Sequence, residues 1–213
     1  MRPPPFCGPG VAALSLLLTA AFLLQQGLAP AWKPGAIPPG ALGLSQLASG
    51  QWWSPITWIF THRDWIHLAG NLLLIFLAGR PVEHSLGTTR FTAIFFLGSW
   101  AGAALHLALR PASVLIGSSG SALALLGAFA AIDPRHQLFG THSRLRVSAR
   151  SLFLGVLLAN AGLEISSRLL GHLNAPALHG QAHLVHLAGL ATGWACASLF
   201  LHRPAATRQP PRD

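Results

Sequence analysis

The sequence predicts an all-α membrane protein whose six transmembrane helices form one bundle, with a half-inserted loop after the first helix. Of its 213 residues, 52% are hydrophobic and 9% are charged, whereas a soluble domain carries about 25% charged residues. The mean hydropathy is +0.50. Because so few polar side chains cannot cover the surface of a soluble domain of this size, we expect a lipid bilayer around the protein.

Six apolar segments supply the predicted spans. They cover residues 11–28, 64–79, 91–109, 117–132, 151–170 and 182–201. Residues 11–202 are therefore the predicted transmembrane domain, 1–10 a short N-terminal segment and 203–213 a polar C-terminal tail. The first span also resembles a signal peptide, since Ala29 and Ala31 form a weak cleavage site, but the spans that follow favour a retained helix.

Two loops of this domain carry distinctive residues. The stretch from Pro30 to Arg63 is rich in Pro and Gly and is too broken to span, so it is predicted to lie half-inserted, where other parts of the protein cover its backbone. The tryptophans of this stretch, together with Trp65 just after it, are expected at the membrane–water interface. They are Trp32, Trp52, Trp53, Trp58 and Trp65. The second loop, from Arg80 to Arg90, contains Glu83.

Positive charge predicts the orientation, because basic loops stay in the cytoplasm. With a cytoplasmic N-terminus, ten basic residues lie inside and four outside. The inner set is Arg2, Arg80, Arg90, Arg135, Arg144, Arg146, Arg150, Arg203, Arg208 and Arg212, and the outer set is Lys33, Arg63, Arg110 and Arg168. Both termini are then cytoplasmic. The basic residues are scattered singly, so the net charge of +9 does not predict nucleic-acid binding.

Three polar patterns interrupt the apolar spans, and burial of polar groups in a membrane makes each a functional candidate. His67 and Asn71 lie one helical turn apart on one face of the second span. Ser119, between Gly117 and Gly120, opens the fourth span, where the N–H groups of a helix N-terminus can stabilise an oxyanion. Each pattern taken alone is equally compatible with helix packing.

The third pattern lies in the sixth span. His186 shares one stripe with Gly189 and Gly193, and the fourth span carries a matching stripe of small residues at Gly120, Ala124 and Ala128. Small residues allow helices to approach closely. Close contact between these two spans would bring the Ser119 hydroxyl to the His186 imidazole, which is the pairing of nucleophile and base that serine hydrolysis requires. His183, one turn earlier, is interpreted as a polar group at the helix mouth.

The three patterns together, in this order, resemble the rhomboid family of intramembrane serine proteases. The matching residues are HxxxN at His67 and Asn71, GxSG at Gly117, Ser119 and Gly120, and HxxGxxxG from His186. The segment from Val82 to Gly87 looks like the family's turn with a structural glutamate. The resemblance covers about residues 50–201 and implies a six-helix fold of the rhomboid type.

The resemblance implies an endopeptidase with a Ser–His dyad and no cofactor. Ser119 would be the nucleophile, His186 the base, and His67, Asn71 and the Ser119 N–H oxyanion donors. Its partners would be the lipid bilayer and membrane-anchored substrates, either single-pass or C-terminally anchored, cut in or near the transmembrane segment. The Arg-rich composition further indicates a bacterial inner membrane.

The chain also departs from the family pattern. Some members carry a tyrosine one turn after the serine, packed on the histidine, but this chain has no tyrosine and Leu123 takes that place. The orientation of His186 is therefore expected to come from apolar packing. The tryptophan–arginine pair of the first loop is also missing, which leaves open a divergent branch specialised for C-terminal sorting anchors.

Two other functions are compatible with parts of the sequence. His67, His179, His183 and His186 could ligate a metal or haem iron. However, the chain lacks HExxH, and among its five acids only Glu83 and Glu164 are near a span. A small transporter or assembly factor is the other alternative, and in that case Ser119 would be dispensable. Stoichiometric metal in purified protein would contradict the dyad, and an unaffected Ser119→Ala variant would favour the transporter.

Overall fold

The computed structural model describes residues 8–28, 37–138, 147–170 and 182–202, which fold into a bundle of helices. The helices are α1 (Pro9–Leu28), α2 (Leu44–Ala48), α3 (Ser54–Thr57), α4 (Trp65–Leu86), α5 (Thr88–Leu109), α6 (Ser119–Ile132), α7 (Ala149–Leu170) and α8 (His183–Leu201). The predictions for Arg2, Trp32, Lys33, Arg144, Arg146, His179 and the tail 203–213 lie outside the described residues.

Helix α6 is the centre of the bundle. All residues from Gly120 to Ala130 are buried, and α4, α5 and α8 surround it, while α1 packs on α4 and α7 packs on α8. The outer helices instead expose large apolar side chains, such as Leu24 of α1 and Leu158 of α7. An apolar exterior around a closely packed interior is the arrangement expected in lipid.

The predicted all-α membrane fold is confirmed. Five described helices, namely α1, α4, α5, α7 and α8, are long and apolar enough to cross a membrane. The remaining predicted span is α6, which is apolar but has only 14 residues. It is shorter than predicted because Gly117 and Ser118 form a bend before the helix.

The second span is longer than predicted. The segment after Gly79 was expected to be a loop, but α4 continues through Pro81 to Leu86 and ends at Gly87, whose φ is +81°. The helix continues past Gly79, and the missing side chain of this glycine makes room for a neighbouring helix. A Cβ at Gly79 would lie 3.0 Å from the Phe91 ring. Tertiary packing therefore decides where this helix ends.

Glu83 joins α4 to the start of α1. Its carboxylate is buried and accepts hydrogen bonds from the N–H groups of Gly10 (2.7 Å) and Val11 (2.9 Å) and from the Thr88 hydroxyl (2.8 Å). The first N–H groups of a helix lack acceptors within that helix, and a negative charge near them is favourable. Glu83 thus serves as the N-terminal cap of α1 and ties together three helices.

The loop before α4 is built as a short two-helix segment held on the bundle. Leu42 exchanges two backbone hydrogen bonds with Leu115, which precedes α6, and the Trp58 carbonyl accepts from the Gly117 N–H at 2.8 Å. Trp52 and Trp65 are exposed, as an interfacial position requires. Trp58 differs from the prediction, because it is 1% exposed and packs in the core.

Candidate active site

The serine of the GxSG pattern is the first residue of α6. The turn before it depends on Gly117, whose φ of +98° is rarely adopted by other residues. The same glycine makes room for His67, because a Cβ at Gly117 would lie 2.8 Å from His67 Nε2. The half-buried Ser119 side chain therefore lies beside the first N–H groups of α6 and near the His67 imidazole.

Ser119 and His186 are in direct contact. His186 Nε2 lies 2.8 Å from Ser119 Oγ, although the residues are 67 positions apart in the chain. The backbones of α6 and α8 touch, since a Cβ on Gly189 would collide with the Gly120 carbonyl and a Cβ on Gly193 with the Ala124 carbonyl. The two glycines of α8 thus set the distance between the Ser119 hydroxyl and the His186 imidazole.

The other ring nitrogen of His186 has a polar partner. His186 Nδ1 lies 2.8 Å from Oδ1 of Asn160 on α7, and His183 Nδ1 lies 3.2 Å from the same oxygen. The expectation that apolar packing alone orients His186 is therefore wrong. Sequence reasoning missed Asn160, which is a lone amide in an apolar span and belongs to no local motif.

His67 is placed by the start of α4. Asp64 is the N-cap residue, and its Oδ1 accepts from the His67 N–H at 2.8 Å. The hydrogen bond from Arg63, followed by that from the His67 N–H, holds the pKa of Asp64 below its usual value. The cap is therefore a carboxylate at neutral pH, as a helix N-terminus favours.

Asn71 lies in a buried network with a residue that sequence reasoning also missed. Its Nδ2 is 3.0 Å from His62 Nε2, which is also 3.2 Å from Ser118 Oγ. Burial, followed by repulsion from His67, lowers the pKa of His62 to about 4. His62 is therefore neutral at pH 7, and its Nδ1 donates to the Phe60 carbonyl while Nε2 accepts. A histidine five residues before His67 was the available signal.

The site thus contains two serine–histidine contacts of different character. Ser118 and His62 are fully buried, so a substrate cannot reach them. Ser119 and His186 are only partly buried. Among the described residues, no three His, Cys, Asp or Glu side chains are grouped so that they could hold a metal ion.

Comparison with known proteins identifies the family. The sequence model of the rhomboid domain matches residues 49–203, which is most of the chain and includes every site residue described above. The chain belongs to the rhomboid family.

Relatives of this rhomboid come from animals and bacteria. It is 27% identical to Rhomboid-related protein 1 of Caenorhabditis elegans over 155 residues, which is 73% of this chain and 42% of that protein. It is 34% identical to the Rhomboid protease GluP of Bacillus subtilis over 89 residues, 42% of this chain and 17% of the relative. The chain spans about half the length of the curated relatives it matches.

The contact between α6 and α8 leads to a first prediction. Gly193→Ala places a methyl group on the Ala124 carbonyl and forces the helices apart. Overpacking of this kind costs about 1–3 kcal/mol, so we expect a lower thermal midpoint in detergent and slower labelling of Ser119 by a fluorophosphonate. Gly162→Ala on α7 is the matched control, because nothing lies within 4 Å of its added Cβ. Equal behaviour of the two variants would contradict this role of Gly193.

Proposed function

We propose that this rhomboid is an intramembrane serine endopeptidase that cuts membrane-anchored proteins in or near their transmembrane segment. The observation that carries the proposal is the 2.8 Å contact between Ser119 Oγ and His186 Nε2 at the N-terminus of α6. A serine within hydrogen-bond reach of a base, beside unpaired helix N–H groups, is the arrangement that acyl transfer requires.

The first half of the reaction forms an acyl-enzyme. Ser119 Oγ attacks the scissile carbonyl carbon while its proton passes to His186 Nε2, and the carbonyl π electrons move to the oxygen. When this tetrahedral intermediate collapses, the C–N bond breaks and the His186 proton goes to the leaving amine. In the second half, water attacks the ester with His186 again as base. The acid product leaves and Ser119 regains its proton.

The oxyanion is stabilised by neutral donors in this proposal. The Ser119 N–H at the helix start, His67 against Gly117, and the second N–H of the Asn71 amide are the groups available. A Cβ at Gly117 would collide with the His67 ring, so this glycine leaves room for that donor, whereas Gly120 allows close approach of Ser99 and Val185. His62 supports the arrangement by accepting the first Asn71 N–H.

The short length of α6 supports cleavage below the membrane surface. Its 14 residues extend for about 21 Å, against a hydrocarbon thickness of about 30 Å. If α6 ends near one membrane face, then Ser119 lies several ångströms below the opposite face. The partial exposure of Ser119 and His186 is consistent with a site that water and an extended substrate segment enter.

The alternative functions have less support. A metal site needs several ligands grouped together, and no three His, Cys, Asp or Glu side chains are so grouped in the part of the chain that the structure describes. We propose the bacterial inner membrane as the location, with both termini in the cytoplasm. The proposed partners are lipid and single-pass or C-terminally anchored substrates, which include the anchors of the sorting branch.

Loss of either dyad residue is the decisive test. We expect Ser119→Ala and His186→Ala to abolish cleavage of a reporter transmembrane substrate, and fluorophosphonate to label Ser119 only when His186 is intact. Ser121→Ala is the matched control, because the Ser121 hydroxyl contacts Ser99 on α5 at 2.7 Å and not His186. Cleavage by both dyad variants would overturn the proposal.

A weaker effect is expected at Asn71. Asn71→Ala removes one oxyanion donor among several and should lower turnover by tens-fold or less, whereas a full single donor can be worth about 10²–10³. Turnover and thermal midpoint are measured together, because the variant also breaks the contact with His62. A wild-type rate would remove Asn71 from the site.

The orientation is tested with reporter fusions in a bacterial host. We expect alkaline phosphatase to be inactive when fused after Asp213 and active when inserted after Arg110, since the excess of basic residues keeps its side in the cytoplasm. A fluorescent protein at the same positions should give the reverse pattern. Phosphatase activity at Asp213 would contradict cytoplasmic termini.

A further inference from the structure

The amide of Asn160 is held in one orientation between α7 and α8. Its Nδ2 donates to the Val156 carbonyl at 2.9 Å, so Oδ1 is the atom that faces α8. That oxygen lies 2.8 Å from His186 Nδ1 and 3.2 Å from His183 Nδ1. An amide oxygen has no proton to donate and accepts two hydrogen bonds, so both contacts require a proton on Nδ1 of the histidine.

We propose that Asn160 is a positioning residue that fixes the tautomer and ring orientation of His186, which deepens the proposed function and rests on it. With the proton on Nδ1, the lone pair is on Nε2, the nitrogen 2.8 Å from Ser119 Oγ. When Nε2 takes the serine proton, the positive ring still donates from Nδ1 to Asn160. The amide thus stabilises both states of the base and favours the charged one, because hydrogen bonds to ions are the stronger ones.

Asn160 takes the place that an acid occupies in a serine triad. The described acids are all engaged elsewhere: Asp64 with Arg63, Glu83 with the N–H groups of α1, Asp133 with His136, and Glu164 with Arg110 and Arg168. A neutral amide orients the histidine without the cost of burying a carboxylate in a membrane protein. An asparagine holds the histidine in the same manner in papain-like cysteine proteases.

Polar contacts of α7 help to maintain the contact between Asn160 and His186. Glu164 lies one turn after Asn160 on the same face, and its carboxylate bonds Arg110 at the end of α5 at 2.8 Å. Arg110 also reaches the Ser167 hydroxyl at 3.4 Å. These contacts hold the polar face of α7 against α5 and α8, so the Asn160 oxygen stays within reach of His186.

The test compares Asn160→Leu, Asn160→Asp and wild type in the full chain, with substrate turnover and fluorophosphonate labelling of Ser119 as functions of pH. We expect Asn160→Leu to lower kcat by about 10- to 100-fold, the effect of one lost charge-assisted hydrogen bond, with little change in KM. The acidic limb of the pH–rate profile of this variant should move to lower pH, because the positive His186 ring has lost a hydrogen-bond acceptor.

Asn160→Asp should restore most of the turnover at high pH. A carboxylate beside His186 favours the positive ring, so the acidic limb should move to higher pH by about one unit or more. The other titratable groups that face His186 are His67 of α4, His106 of α5 and His183 of α8, and they are unchanged in both variants. Opposite shifts of the limb therefore report on Asn160.

Gly162→Ala is the control, because it changes α7 at a position where nothing lies within 4 Å of the added Cβ. It should keep the wild-type limb and kcat. The positioning role would be overturned if the acidic limb of the pH–rate profile moved in neither Asn160 variant. It would also be overturned if the fall in kcat were accounted for by a lower thermal midpoint. Either result would leave the Ser119–His186 assignment intact. Failure of wild type to label at Ser119 and to cleave would overturn both proposals.

Discussion

Everything at the site depends on how closely α6 and α8 approach each other. At Gly189 and Gly193 the backbone of α6 occupies the space where a Cβ of α8 would be. The separation of the two helices is therefore fixed by backbone atoms and not by flexible side chains. Ser119 and His186 project from this rigid contact, so their 2.8 Å distance follows from packing and needs no loop to close. The dense core of α6, buried from Gly120 to Ala130, opposes any relaxation that would separate them.

A second constraint is the cost of charge in a membrane, and the side chains near Ser119 and His186 are neutral hydrogen-bonding groups. Asn71, His62 and Ser118 form one neutral network, and Asn160 bonds the base with an amide. The buried carboxylates lie beside hydrogen-bond donors or cations that compensate their charge. Glu83 receives the N–H groups of α1, and Glu164 receives two guanidinium groups. Of the other described acids, Asp64 caps α4 and Asp133 contacts His136.

The fold class could be predicted because long apolar segments and a low content of charged residues are visible in the sequence itself. Ser119 and His186 could be singled out because glycines recur beside them at helical spacing. Helix ends were harder to predict. Gly79 was the last residue of the predicted second span, yet it packs against Phe91, and α4 continues to Leu86. Asn160 could not be assigned from sequence, since its partner lies 26 positions away on another helix and no local pattern links them. The burial of Trp58 likewise follows from tertiary contacts and not from its neighbours in the chain.

The contact through Asn160 makes the chemistry of the base depend on an outer helix. Much of α7 faces outward, with Leu158 and Leu169 among its exposed side chains, whereas Leu152, Phe153 and Val156 pack against the core. Two polar contacts add to this packing, namely Asn160 against α8 and Glu164 against Arg110. Because these two residues are one turn apart, the ion pair and the amide contact form or break as the same face of α7 docks or separates. The orientation of His186 is therefore coupled to the docking of α7, and the Glu164–Arg110 pair contributes to that docking.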